Sequence, residues 1–233
     1  MKLNNKRTIL VGLAFLSICA FWQMYDSVVP LILTKTFHMN ETFSGAIMAA
    51  DNILALFLLP FFGSLSDRSH SKIGKRMPFI LFGTGCAVIL MNILPLLDNS
   101  YAARPSGLKT ASFVIVLGLL LVAMGTYRSP AVALMPDVTP NPLRSRANAI
   151  INLMGAVGGI LYLGVAAVLY PNSKTAGLDH VNYQPLFIVV SAIMFIAIAI
   201  LFLTVKEPKL TAENQALEKQ HPEWNLAQDD GSG

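Results

Sequence analysis

Six apolar blocks, each 20 to 25 residues long, divide this chain at 9–33, 43–65, 78–97, 112–135, 147–170 and 185–205. A helix needs about 20 apolar residues to cross a hydrocarbon core of about 30 Å. Strands of a soluble core are far shorter, and the strands of a lipid-facing barrel alternate instead of running continuously apolar. Composition agrees: 54% of the 233 residues are hydrophobic and 13% charged, against about 25% charged in ordinary soluble domains. The expectation is an all-α membrane protein with six transmembrane helices.

The basic start of the first block suits a signal peptide, but its apolar run outlasts the usual core of about 7 to 15 residues. It is read as a membrane helix. Cys19 and Cys86 fall inside spans as small packing residues. His38, His70, His180 and His221 show no metal-ligand spacing, and no cofactor is expected. Basic residues collect in cytoplasmic loops. On one side of the spans lie Lys2, Lys6, Arg7, Arg68, Lys72, Lys75, Arg76, Arg144, Arg146, Lys206, Lys209 and Lys219. The other side has Lys35, Arg104, Lys109 and Lys174, with Arg128 inside a span. Both termini are therefore expected in the cytoplasm of a multi-pass cell-membrane protein. The sequence pI of about 9.1 follows from this topology and does not imply nucleic acid.

The first loop on the basic side reads GSLSDRSHSKIGKRMPFI. Its Gly63, Leu65, Ser66, Asp67, Arg68, Gly74, Lys75 and Arg76 resemble the cytoplasmic loop signature of the major facilitator superfamily. A second stretch, YRSPAVALMPDVTPNPLRSRANAIINLMG, is similar to sucrose-transporter-like proteins and, more distantly, to the glycoside–pentoside–hexuronide cation symporters. Arg128, Ala133, Leu134, Asp137, Arg144, Ala147 and Asn148 carry that likeness. It extends over about residues 10 to 208. One element departs: where melibiose-type symporters have paired acidic residues before the span-two proline, Leu58 and Leu59 precede Pro60. That speaks against a melibiose-type sodium site.

The resemblance implies twelve spans in two six-helix halves. Here the polar run after residue 205 looks like the linker between halves, so residues 1–208 are expected to be an amino-terminal bundle with a three-plus-three repeat. Residues 209–233 are expected to be a cytoplasmic linker or tail, and its TAENQALEKQ piece is read as either a surface helix or a disordered segment. The expected partners are the bilayer and a carboxy-terminal half or a second copy.

Ionisable groups at membrane depth cost about 2.5 to 3.5 kcal/mol each on insertion scales and mark cavities or partners. Asp26, Asp51 and Arg128 fall inside spans. They are the candidate coupling site, with Arg128 paired to one of the aspartates. Gln23, Tyr25, Asn52, Asn148 and Asn152 are candidate cavity residues, since aromatic rings stack on sugars and amides bond hydroxyls. The bland alternatives are interfacial anchoring for Trp22 and Tyr25, a helix-to-helix hydrogen bond for Asn148 and snorkelling for Arg128. Gly155 and Gly159 have the spacing of a close helix contact. Gly63, Asp67, Arg68, Gly74, Lys75, Arg76, Asp137 and Arg144 are the candidate gating elements.

Rival classes fare worse. An intramembrane aspartyl protease needs a Gly-x-Gly-Asp element, but Ala49 and Ala50 precede Asp51. There is no HExxH and no serine nucleophile elbow, so an enzyme is not expected. The resemblance implies a secondary transporter that moves a small solute, a sugar or glycoside, with a proton or other cation. The alternative is a non-transporting scaffold, sensor or inactive fragment.

Overall fold

A computed structural model describes residues 3–226 as helices and connecting loops. Helix α1 (Asn5–Leu31) runs into a π turn, Ile32–Thr36, just past Pro30. Then come α2 (Glu41–Asp67), α3 (Met77–Ala103), α4 (Gly107–Asp137), α5 (Arg144–Leu169), a short α6 (Asn172–Thr175) and α7 (Gln184–Thr204). Outside the apolar blocks lie α8 (Glu207–Gln220) and α9 (Glu223–Leu226). Six helices, α1 to α5 and α7, are long and apolar enough to cross a membrane. They extend beyond the apolar blocks because polar caps start them. Asn4 Oδ1 accepts the Arg7 N–H, and Asn40 Oδ1 accepts the Thr42 N–H. Pro78, Pro185 and Pro208 each stand in a first turn, where a missing N–H costs nothing.

The helices pack in a repeating order. Helix α1 lies against α5 and α7, α4 lies against α2 and α3, and α3 meets α7. Exchanging α1 with α4, α2 with α5 and α3 with α7 maps these pairs onto one another, which is the symmetry of a three-plus-three repeat. Glycines set the closest approach. A Cβ on Gly158 would fall 2.0 Å from Leu16 O, and one on Gly155 would fall 2.9 Å from Cys19 Sγ. Gly159, the other half of the expected pair, has its nearest neighbour, Gln23 Oε1, at 3.8 Å. The α1–α5 seam therefore runs through Gly155 and Gly158, three residues apart. The outer surfaces of α3 and α7 expose Phe82, Ile89, Phe195 and Leu203. In water such a surface would drive aggregation; in a bilayer it is lipid contact.

Candidate functional site

The two helices that frame the interior differ in what they show. Helix α1 is the most buried, and between residues 10 and 30 its exposed side chains are Gln23 and Asp26. These are one turn apart, so a polar strip is the open part of an otherwise packed helix. Helix α2 is scarcely covered: the most apolar stretch of α1 is 61% buried and that of α2 is 0%.

Between α1, α2 and α4 is a narrow cleft lined by Trp22, Asp51, Leu58, Gly125 and Arg128, with room for about one water at about 20 Å³. The Arg128 guanidinium carbon stands 5.5 Å from the centroid of the Trp22 ring. That is cation–π distance, worth about 0.5 to 2 kcal/mol depending on solvation. Arg128 is held at this place by its neighbours in sequence. The Tyr127 hydroxyl donates to Ala14 O at 2.8 Å and also bonds Ser17, fastening α4 to α1. The Ser129 hydroxyl donates to Leu59 O at 2.7 Å, fastening α4 to α2. Among the described residues Arg128 makes no ion pair within 4.0 Å, so it shares a cleft with Asp51 without the direct pairing expected from the sequence. Asp51 is half-buried and accepts the Asn52 N–H at 2.6 Å. Tyr25 is packed inside, stacked on Phe21 and edge-on to Trp22, and its hydroxyl and the Trp22 indole N–H are buried without hydrogen-bond partners among the described residues. Asn52, Asn148 and Asn152 are exposed, the last two away from the packed α5 face of Ala147, Ile151 and Gly155.

At the end of the bundle where α2 meets α3, the loop charges close on one another. Arg76 is buried. Its Nη2 reaches Asp67, its Nε reaches Asp137 Oδ2 at 2.9 Å, and its Nη1 reaches Ser66 and Gly63 O. Lys75 Nζ lies 3.2 Å from Asp137 and 3.6 Å from Asp67. The sequence reading missed a third carboxylate, Glu207 at the start of α8. Its two oxygens accept the Arg76 and Met77 N–H groups at 2.9 and 2.8 Å, capping α3. Burial pushes the Glu207 carboxyl above its usual range, and these N–H bonds oppose the rise. Gly74 makes room for it: its φ is +117°, and an added Cβ would lie 2.2 Å from Glu207 Oε2. Arg144 bonds Thr139 O, Asn141 Oδ1 and Glu218 Oε1 at 3.1, 2.6 and 2.9 Å. Arg68 is exposed. Glu207 and Glu218 lie more than 60 residues from the groups they meet; the Glu-Pro pair opening a polar helix after the last apolar block was the available signal.

The fold agrees with comparison to known sequences. The profile described as Major Facilitator Superfamily matches residues 11–226, and the chain belongs to that family of multi-pass membrane proteins. Among curated relatives, Sucrose transport protein SUC3 of Arabidopsis thaliana is 35% identical over 145 residues, covering 57% of this chain and 24% of that protein. Alpha-ketoglutarate permease of Escherichia coli K12 is 26% identical over 179 residues, 76% of this chain and 38% of the permease. Human Solute carrier family 45 member 3 is 26% identical over 185 residues, 78% and 33% of the two chains. The chain thus spans about a quarter to two-fifths of the length of these relatives.

Proposed function

We infer that this chain forms the amino-terminal half of a secondary transporter that carries a sugar or glycoside with a proton or other cation by alternating access. The observation behind this reading is the polar strip of Gln23 and Asp26 on the most deeply packed helix, beside a cleft that holds Asp51 and Arg128. A charge facing lipid there would be costly, whereas one facing a wet passage shared with a second half would not. Aspartates of variable protonation then serve as coupling sites. Arg128, fixed over Trp22, offers a cation and an aromatic face to a polyol. The loop network around Arg76 braces the cytoplasmic end, with both termini on that side. The names of the sucrose transport relatives favour a sugar.

Uptake by the full-length protein, measured against a sugar panel with and without a pH gradient, tests this reading. Accumulation of one sugar is expected to follow the gradient, and Asp26→Asn or Asp51→Asn is expected to uncouple it. Uptake whose pH dependence survives both changes removes the coupling role.

A further inference from the structure

The end of the bundle opposite the Arg76 network holds a second pair of titratable groups. Asp98, near the end of α3, is completely buried, and neither of its carboxylate oxygens has a hydrogen-bond partner among the described residues. The cationic group nearest to it is His180, in the loop between α6 and α7, with Nδ1 3.9 Å from Asp98 Oδ1. The same imidazole spans two helices. Nε2 lies 2.9 Å from Asn99 Oδ1, and Nδ1 lies 3.1 Å from the Thr36 hydroxyl at the end of α1. Asn182, two residues on, accepts from Asn99 Nδ2 at 2.9 Å and from the Tyr170 hydroxyl at 2.7 Å. His180 is the centre of a strap that ties the loop to α1, α3 and α5.

The hydrogen-bond directions fix the tautomer. Asn99 uses its amide nitrogen on Asn182, so its oxygen accepts and His180 Nε2 carries hydrogen. In the neutral ring Nδ1 is therefore bare and accepts from Thr36. An ionised Asp98 would then face only the Thr36 hydroxyl and no cation in a dry site, a state that costs far more than an exposed charge. Adding one proton to the pair removes that cost: on His180 Nδ1 it makes an imidazolium beside the carboxylate, and on Asp98 it makes the acid neutral. We propose that Asp98 and His180 form a proton-binding pair, separate from the central cleft, that straps the 176–183 loop onto α1 and α3 when one proton is held and releases it when that proton leaves.

The other titratable groups around the pair do not supply the missing charge. Tyr183, at the start of α7, faces Asp98, with Tyr170 and Tyr162 of α5 behind it, and all three are neutral phenols in the physiological range. Lys109, at the start of α4, is bonded to Ser100 O and Arg104 O. Lys35, His38, Arg104, Lys174 and Asp179 are exposed at this end. The sign follows: the strapped state binds the proton more tightly, so its stability is present at lower pH and lost as pH rises.

Hydrogen exchange of the 171–183 segment in detergent-solubilised chain, corrected for intrinsic exchange rates, tests this at about pH 5.5 and about pH 8, either side of the ordinary histidine range of about 6.5. An opposite charge displaces a carboxyl's proton equilibrium by about ten- to a thousand-fold. Protection is therefore expected to be at least about tenfold greater at the lower pH. Asp98→Asn, which removes the buried carboxyl, is expected to abolish that ratio, and His180→Lys, a cation at both pH values, to keep the segment protected at both. A flat profile in the unaltered chain overturns the proposal. So does a pH ratio that survives in Asp98→Asn, or one that persists unchanged in His180→Lys.

Discussion

The two central charge clusters of this molecule are built on opposite principles. Around Arg76 every strong group has an answer: two carboxylates, a serine and a carbonyl surround one buried guanidinium, and Glu207 caps the backbone N–H beside it. Around Arg128 the answers are partial: one aromatic face, a shared cleft with Asp51, and no ion pair among the described residues. A closed network gains rigidity because removing any member leaves a buried charge unpaired. An open cluster keeps its charges available for a ligand, with neighbours spent on position instead of neutralisation. The difference separates a brace from a candidate binding site.

Arg76→Ala should have the largest effect, because it strands Asp67 and Asp137 beside Lys75 alone and uncovers Ser66. A loss of about 3 kcal/mol is expected, read as a fall in thermal midpoint in detergent, whereas Arg68→Ala, beside Asp67 in sequence and exposed, should change little. Equal losses would mean that the loop has no closed network. Gly158→Ala should come next, at about 1 to 3 kcal/mol of overpacking, since its Cβ would meet Leu16 O at 2.0 Å. Gly159→Ala, whose Cβ would meet Gln23 Oε1 at an unstrained 3.8 Å, should be nearly neutral in the same melt.

Arg128→Gln sharpens the contrast from the other side. Losing one cation–π contact should cost about 1 kcal/mol or less of stability, while the proposed sugar uptake should collapse. A large stability loss with preserved uptake would make Arg128 a brace like Arg76. The smallest effect concerns Glu207. Its carboxyl is raised mainly by burial, so the folded chain binds that proton more readily than the unfolded one. Its contribution to stability is present below the ordinary carboxylate range and lost as pH rises through the folded value. Comparing melting against pH for the parent and Glu207→Gln should show that slope in the parent and a flatter profile in the variant.

Much of this was legible in residue order. The six spans came from uninterrupted apolar length, and Arg128 and Asp51 stood out because charge inside such a run is expensive. The loop signature named Asp67, Gly74 and Arg76 together. Tyr25 was not placed so well, because a tyrosine beside a polar residue reads the same whether its ring faces a cavity or the Phe21 stack. Asn148 and Asn152 share a face, as their spacing requires, but which face α5 turns to α1 depends on Gly155 and Gly158.

The sequence by itself determined the helical spans, because the backbone of a membrane segment must satisfy its own hydrogen bonds and its length is set by the bilayer. Only the tertiary structure decided which charges meet. Glu207 caps a helix that begins 130 residues earlier, and His180 reaches back to Asp98 and Thr36. Electrostatic partnership acts over a few ångströms of space and carries no mark in chain separation, so those pairings exist only once the helices have packed.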